Sequence, residues 1–265
     1  NHIIDQINHD SGIIIMGILN VTPDSFSDGG RFTQHKIAVD HALKMIDNGA
    51  NIIDIGGEST RPGSLPVSEN VECDRIISII ESIKKINSRI CISVDTYKSN
   101  VAKKAIDAGA DIVNDISGLT FDKDMVSLLS GKDIPIVIMH INGKPKTMQK
   151  NPTYNDLIED VKDFLLNQAK IAERNGIKKS HIILDPGIGF GKTFNHNFTI
   201  LRRLNEICSL GYPVMIGPSR KAFIGDALCL PPDQRLEGTI ATIVAGIMNG
   251  ARIVRVHDVE EVRRA

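Results

Sequence analysis

The chain of 265 residues contains no tryptophan, and aromatic residues make up only 4% of it. Its cysteines are few and widely separated, and no Cys-x-x-Cys pair occurs among Cys73, Cys91, Cys208 and Cys229. This spacing argues against a zinc site and against a disulfide framework, and it suits the reducing cytoplasm. The sequence also lacks an apolar run of the roughly 20 residues that a membrane-spanning helix needs, and it lacks a signal-peptide pattern. We therefore expect a cytoplasmic protein that is not bound to a membrane.

The chain has almost no excess charge of either sign, because its formal net charge is −1. Nucleic acids and acidic membranes attract strongly basic proteins, so neither is expected as a partner. Any affinity for anions must come from a local cluster of cations. The chain begins at Asn1 rather than Met, and it ends a few residues into a predicted helix. We therefore expect it to be a piece of a longer polypeptide whose last helix is cut short.

Short runs of β-branched residues recur along the sequence, and an amphipathic helical pattern follows each of them. The runs span residues 13–19, 51–56, 90–95, 111–117, 134–139, 181–185, 213–217 and 252–257. Nearly continuous apolar strands that alternate with helices predict a parallel sheet covered on both faces. Eight such units in one chain of this length predict a (β/α)8 TIM barrel, an α/β fold, as a single domain over residues 1–265. The alternative is an open doubly wound sheet, which would be unusually wide.

Polar side chains end the predicted strands, with Met139 as the exception. In a barrel of this type the active site lies at the carboxyl ends of the strands. Asp95, Asn114 and Asp185 would form an acceptor-rich floor suited to a flat heterocycle with many N–H donors. Taken alone, each polar end has an ordinary explanation, such as a helix cap for Asp95 or a core imidazole for His257. Their convergence at one mouth favours a binding site.

Cations follow other strands and are predicted to gather at one side of this mouth. They are Arg61, Arg220, Lys221, Arg255 and His257. Barrels of this class often bind phosphate near the last two strands, so these cations predict a phosphate-binding side.

Two glycine- and proline-containing loops stand out. Residues 21–32 are polar turn formers with one aromatic residue, Phe26, between two carboxylates, and such a loop after a buried strand indicates function. Residues 187–193 are glycine-rich but do not form a phosphate-binding P-loop, because Pro186 stands where that motif requires glycine. We interpret them as a loop that lets the backbone approach closely after Asp185. His140 lacks a second ligand at metal-binding spacing.

Several motifs, in order along nearly the whole chain, resemble the dihydropteroate synthase family. They lie at residues 16–31 (MGILNVTPDSFSDGGR), 54–63 (DIGGESTRPG), 93–96 (SVDT), 113–117 (VNDIS), 139–140 with 145–149 (MH and PKTMQ), 185–193 (DPGIGFGKT), 217–221 (GPSRK) and 255–259 (RVHDV). The resemblance implies a barrel enzyme, a transferase of folate biosynthesis. It would condense 6-hydroxymethyl-7,8-dihydropterin diphosphate with p-aminobenzoate, with Mg²⁺ as cofactor, and yield 7,8-dihydropteroate and pyrophosphate.

The resemblance also implies roles for individual residues. The pterin would contact Asp95, Asn114, Met139, Asp185 and Lys221, and the diphosphate would contact Thr60, Arg61, Arg255 and His257. The p-aminobenzoate would contact Phe26, Arg61, Pro62, Lys221 and Ala222, and Asn20 and Asp28 would hold Mg²⁺. The residues expected to be catalytic are Lys221, Asp95, Asp185, Asn114 and Arg61.

The sequence departs from the family pattern at Ala222, where many relatives carry a serine that helps bind the substrate carboxylate. We expect weakened but not abolished p-aminobenzoate binding there, because a helix-start N–H still donates to an anion. The resemblance further implies a homodimer and sulfonamide inhibitors, and it allows a pyrophosphokinase domain before Asn1. The alternatives are the pterin-binding barrel of a corrinoid-dependent methyltransferase and a non-catalytic pterin-binding domain.

Overall fold

The computed structural model describes residues 2–9, 12–22 and 31–265, and its centre is one parallel sheet of eight strands. Each strand lies near a predicted run. The strands are β1 (Ile14–Asn20), β2 (Ile52–Gly56), β3 (Cys91–Asp95), β4 (Ile112–Asp115), β5 (Ile136–Met139), β6 (Ile182–Asp185), β7 (Met215–Ile216) and β8 (Ile253–Val256). Strand β7 is shorter than predicted because Pro213 and Pro218, which flank it, have no N–H to donate to a ladder.

The strands follow one another around a nearly closed barrel, so the TIM-barrel prediction is confirmed and the open sheet is wrong. Hydrogen-bonded neighbours run from β6 back to β1 and then through β8 to β7. The remaining seam, between β6 and β7, is joined by a parallel bridge of Leu184 and Val214. There the Leu184 N–H donates to the Pro213 carbonyl at 2.9 Å.

Helices cover the outside of the barrel. Those in the described residues are α1 (His2–His9), α2 (Arg31–Asp47), α3 (Glu69–Ile86), α4 (Ser99–Asp107), α5 (Asp124–Leu129), α6 (Leu157–Arg174), α7 (Phe194–Arg202), α8 (Leu204–Cys208), α9 (Ala222–Leu228), α10 (Leu236–Met248) and α11 (Val259–Arg264). Helices α7 and α8 follow each other directly and meet at Arg203. Helix α1 was not predicted. No helix in the described part of the chain is long and apolar enough to cross a bilayer.

Two apolar layers stabilise the barrel. The larger one lies between the strands and the outer helices. The smaller one fills the half of the barrel interior nearer the amino ends of the strands, which we call the lower half, and Ile52, Ile112 and Ile183 pack together there. Ile3, Ile4 and Ile7 of α1 belong to this inner cluster, so α1 closes the amino-terminal end of the barrel. The upper half of the interior carries polar side chains instead.

Candidate functional site

A pocket opens at the carboxyl ends of the strands, where a barrel places its active site. Most of the residues predicted to bind the pterin or the diphosphate meet there. The residues that line it are Thr60, Asp95, Asn114, Ile116, Met139, Asp185, Phe190, Met215, Gly217, Lys221 and Arg255. The pocket therefore combines carboxylate and amide acceptors with two cations and an apolar wall.

Strand register explains why these residues meet. Asn20 pairs with Gly56, Gly56 pairs with Asp95, and Asp95 pairs with Asn114, so the ends of β1 to β4 lie at one level. Gly56 has no side chain, so Asp95 and Asn114 are the side chains that β3 and β4 present to the pocket at this level.

Arg255 lies between two carboxylates inside the barrel. Its Nε donates to Asp54 Oδ2 at 2.6 Å, and its Nη2 donates to Asp95 Oδ2 at 2.8 Å. Burial raises the pKa of Asp95 to about 7, against the opposing effect of the Arg255 charge. Burial also disfavours the charged guanidinium, but Asp54 and Asp95 outweigh it and raise the pKa of Arg255. Arg255 is therefore a paired cation that faces the pocket.

Two acceptor atoms at the pocket floor have no partner among the described residues. They are Oδ1 of Asp95 and Oδ1 of Asn114, both buried. The amide nitrogen of Asn114 donates to Asp54 Oδ2 at 3.0 Å, so Asn114 does not serve loop amides. Asp95 does not cap α4 either, because Lys98 occupies that position. Asp54 Oδ1 and Ser93 Oγ also lack a partner in the described structure, but those two residues do not line the pocket. A buried acceptor without a partner costs free energy until a donor reaches it, so the two acceptors that line the pocket favour a ligand with N–H groups.

The opposite side of the floor is formed by Asp185 and Lys221. Asp185 Oδ1 accepts the Gly187 N–H at 2.7 Å, and burial raises the pKa of the carboxyl. The Lys221 ammonium donates to the Ile188 carbonyl and lies 4.4 Å from the centre of the Phe190 ring. Burial lowers the pKa of Lys221 to about 8, although Asp185 favours its charged form.

The glycine-rich loop after β6 approaches its neighbours closely, as predicted. Gly187 has φ +68°, and a Cβ there would lie 1.9 Å from the His140 carbonyl oxygen, which no side chain tolerates. Buried Lys192 fastens the loop, with Nζ 2.9 Å from His140 Nδ1 and 3.0 Å from the Phe190 carbonyl. His140 Nδ1 is therefore engaged in holding this loop.

The cationic side of the mouth is less positive than the sequence predicted. Arg220 forms a two-point ion pair with Asp258, so its charge is neutralised. His257 bonds through Nδ1 to the Ser219 hydroxyl at 3.0 Å. Burial lowers the pKa of His257 to about 3, with further lowering by Arg255, so the imidazole is neutral at pH 7. It is half-buried and does not line the pocket described above.

The loop after β2 is anchored by a buried ion network that sequence reasoning missed. Lys98 Nζ lies 2.6 Å from both Glu58 and Glu72. Glu58 also accepts the Val67 N–H at 2.8 Å and the Tyr97 hydroxyl at 2.9 Å. Both ends of the loop are therefore held to α3 and to the start of α4.

This anchoring places Thr60 in the pocket wall but leaves Arg61 and Pro62 exposed at the loop tip. The structure therefore does not bring these two residues to the pocket floor. The Gly63 N–H donates to the Pro145 carbonyl at 3.1 Å, which links the tip to the loop after β5. Ala222 is also exposed, at the first position of α9.

The proposed metal ligands are only partly described. Asn20 ends β1 and is half-buried, whereas Phe26 and Asp28 lie outside the described residues. Residues 2–9, 12–22 and 31–265 contain no group of three His, Cys, Asp or Glu side chains placed to hold a metal ion. Asn20 offers one amide oxygen at the end of β1, and oxygen is the ligand atom that Mg²⁺ prefers.

Comparison with known proteins agrees with this geometry. A family model described as pterin binding enzyme matches residues 16–257. The dihydropteroate synthase of Bacillus subtilis (strain 168) is 51% identical over 251 residues, which cover 95% of this chain and 85% of that protein.

Solved structures give the same result. A dihydropteroate synthase from Clostridium difficile, solved in the presence of pteroic acid, has a TM-score of 0.90 at 49% identity, covering 96% of this chain and 94% of that chain. The Yersinia pestis enzyme in complex with a sulfonamide drug has a TM-score of 0.89 at 42% identity, covering 96% and 91% of the two chains. The chain is thus similar to these proteins in sequence and in fold along nearly its whole length.

Proposed function

Because the chain belongs to the dihydropteroate synthase family of pterin-binding enzymes, we propose that its pocket joins a pterin to p-aminobenzoate. The substrates are 6-hydroxymethyl-7,8-dihydropterin diphosphate and p-aminobenzoate, and the products are 7,8-dihydropteroate and pyrophosphate. The observation that carries this proposal is the pair of unpartnered buried acceptors, Asp95 Oδ1 and Asn114 Oδ1, beside the cations Lys221 and Arg255. In a ligand that joins a ring rich in N–H donors to an anionic group, the ring would donate to the acceptors and the anion would bind near the cations.

The pterin ring is proposed to lie on Asp95, Asn114 and Asp185, with Met139 as its apolar wall. Its amino and ring N–H groups donate to the three side chains, and its carbonyl oxygen accepts from Lys221. The pKa values of Asp95 and Asp185 are raised by burial, so each carboxylate gains from a donor that arrives with the ring. This selects a heterocycle with donors on one edge and an acceptor on the other.

The diphosphate is proposed to bind Arg255, Thr60, Arg61 and His257. Arg61 would supply positive charge. Arg255, which is paired with Asp54 and Asp95, and the neutral imidazole of His257 would supply N–H donors. A Mg²⁺ ion at Asn20, with Asp28 as a second contact, would neutralise charge on the departing diphosphate. Such electrostatic stabilisation makes pyrophosphate a good leaving group.

In the reaction, the bond between the pterin methylene carbon and the diphosphate oxygen breaks, and pyrophosphate leaves with the electron pair. The p-aminobenzoate nitrogen bonds to the same carbon and then loses a proton to water. We propose that bond breaking leads, because Asp95 and Asp185 stabilise positive charge that spreads into the ring. The arylamine is itself the nucleophile, so no protein nucleophile takes part. A trapped covalent adduct between protein and pterin contradicts this mechanism.

The p-aminobenzoate is proposed to bind residues of the first two loops and of the start of α9, namely Phe26, Arg61, Pro62, Lys221 and Ala222. Arg61 and Pro62 are exposed at a loop tip and are therefore accessible to a second substrate. Sulfonamides are proposed to compete at this position, as a sulfonamide drug binds the Yersinia pestis relative. Small molecules, rather than nucleic acid or membrane, are thus the proposed partners of a cytoplasmic enzyme.

Release of pyrophosphate tests the proposed reaction. The purified protein should release pyrophosphate from the pterin diphosphate only when p-aminobenzoate and Mg²⁺ are both present, and dihydropteroate should appear in equal amount. Release without p-aminobenzoate indicates hydrolysis instead. Pterin binding without any release indicates a non-catalytic binding domain, and methyl transfer to a corrinoid indicates the methyltransferase alternative.

A homodimer is proposed to form through α7 and α10. Between these helices lies a shallow groove of about 310 Å³, lined by Phe198, Leu201 and Ala245 among others. Met248, at the end of α10, is 82% exposed. A second copy of the chain would cover this apolar face. Light scattering should give twice the 29.0 kDa mass of the chain.

The dimer proposal has a matched pair of variants. Met248→Glu should produce a monomer, because it places a charge in the covered face. Ile86→Glu, at the exposed end of α3, should leave the mass unchanged. A wild-type monomer, or equal effects of the two substitutions, contradicts an interface on this face.

A further inference from the structure

Asp54 lies inside the barrel in β2, fully buried beneath the pocket. One of its carboxylate oxygens, Oδ2, accepts two hydrogen bonds, one from a residue of β8 and one from a residue of β4. Arg255 Nε donates to it at 2.6 Å, and Asn114 Nδ2 donates to it at 3.0 Å. Asp54 does not itself line the pocket, so any effect on ligands must pass through these two neighbours.

The bond to Asn114 determines which way its amide faces. Since the amide nitrogen is used by Asp54, the atom that remains for a ligand is Oδ1, which has no partner in the described structure. Without Asp54 the amide could turn over and present a donor instead of an acceptor. A donor at that position would repel the N–H edge that the floor accepts.

The bond to Arg255 fixes the orientation of its guanidinium group. Nε is the guanidinium nitrogen nearest the backbone, so an acceptor at Nε restricts the side chain more than a contact at its tip. Asp95 contacts the tip atom Nη2 at 2.8 Å and would remain as a partner if Asp54 were removed. The ion pair of Arg255 and Asp95 keeps the buried charges balanced without Asp54, which favours correct folding of a variant.

We propose that Asp54 is a positioning residue. One of its carboxylate oxygens orients both the Asn114 amide, whose Oδ1 would accept from the pterin, and the Arg255 guanidinium, which would donate to the diphosphate. This inference rests on the proposed function. Asp54 thereby serves both halves of the substrate without touching either. Groups that orient metal ligands cost about 10- to 100-fold in affinity or activity when they are removed, and we expect a loss of that order here.

Two variants and a matched control test the proposal by isothermal calorimetry, with 6-hydroxymethylpterin as one probe and pyrophosphate with Mg²⁺ as the other. Asp54→Ala should weaken both probes by about 10- to 100-fold, because both neighbours lose their acceptor. Asp54→Asn keeps an oxygen acceptor and should recover most of both affinities. Ser93→Ala is the control, since Ser93 is the register partner of Asp54 and equally buried, and its hydroxyl has no hydrogen-bond partner within the described ranges.

Among the steady-state constants, only those for the pterin substrate should change. Asp54→Ala should raise the KM for the pterin diphosphate and leave the KM for p-aminobenzoate nearly unchanged, which a general loss of structure would not do. Circular dichroism checks folding. If Asp54→Ala does not fold, Asp54→Ser replaces it, because water can fill the space beside the smaller side chain, and the same double loss is expected.

Several results overturn the proposal. They are near wild-type affinities in folded Asp54→Ala, loss of only one probe, failure of Asp54→Asn to recover affinity, or an equal loss in Ser93→Ala. Failure of the proposed function is distinguishable. A wild-type protein that binds both probes but condenses nothing refutes the reaction and leaves the calorimetric comparison valid, whereas a wild type that binds neither probe refutes both.

Discussion

Replacing Arg255 with Met should destabilise the ligand-free protein strongly. Arg255 bonds Asp54 at 2.6 Å and Asp95 at 2.8 Å, and its side chain is only 19% exposed. Removing one partner of a buried ion pair leaves uncompensated charge and typically costs about 3–5 kcal/mol. At about 2–4 °C per kcal/mol for a domain of this size class, the melting temperature should fall by roughly 6–20 °C.

The loss should depend on pH in a defined direction. Burial raises the pKa of Asp95 from its ordinary 3.8 to about 7. Between these values the native state binds more protons than the unfolded state, so the free energy of unfolding falls as pH rises. Arg255 opposes this by favouring ionised Asp95. Without Arg255 the pKa of Asp95 rises further. Asp95 is protonated in both folded proteins below about pH 6, so the stability deficit of the variant should be constant from about pH 4 to 6 and should grow as pH rises through about 7 and above, where only the wild type ionises Asp95.

Differential scanning fluorimetry of both proteins across this pH range measures the effect. Arg203→Met serves as a control, because Arg203 pairs with Glu206 at 2.6 Å but both side chains are about one-third exposed. Solvent screens such a pair, so the control should melt nearly as the wild type does. A melting temperature for Arg255→Met equal to that of the control, or a deficit that shrinks as pH rises, refutes the reasoning.

Three further predictions concern catalysis. Wild-type activity should decline above about pH 8, where Lys221 loses its proton. The Lys221→Met variant should have a kcat/KM about 100-fold lower than the wild type and should no longer show this alkaline decline. If the variant declines above pH 8 as the wild type does, another group causes the decline. Phe26→Ala should raise the KM for p-aminobenzoate and leave the Kd of the pterin diphosphate nearly intact, and equal losses would mean that the first loop is structural. Ala222→Ser should lower the KM for p-aminobenzoate by about 2- to 10-fold, the effect of one added hydrogen bond, and an unchanged KM means that the side chain there is irrelevant.

The sequence was sufficient to predict the fold and most of the pocket because both depend on local pattern. A polar residue that ends a β-branched run must lie at a strand end, and parallel strands bring their ends to one edge. Asp185 and Met139 illustrate this, since each ends its run and the two are register partners. Asp95 and Asn114 are brought together in the same way.

The pairing of charges could not be predicted, because it depends on contacts between distant parts of the chain. The sequence shows Asp54 as a carboxylate within an apolar run. Its partner Arg255 is 201 residues away and contacts it only in the closed barrel. Arg220 belongs to a cationic motif, yet Asp258, 38 residues later, neutralises it. The neutral state of His257 likewise follows from burial and from nearby guanidinium groups, not from any local pattern.

The division of the barrel interior follows from strand alternation. Inward-facing positions occur every second residue, so Ile52 and Asp54 face inward on β2, as do Ile112 and Asn114 on β4. In each strand the apolar residue comes first and the polar one two residues later. A shift of one residue would send the polar side chains outward into the helices, where no partner compensates their burial. The same register that forms the lower core therefore places the acceptors at the mouth, and a substitution that slips one strand should abolish folding and ligand binding together.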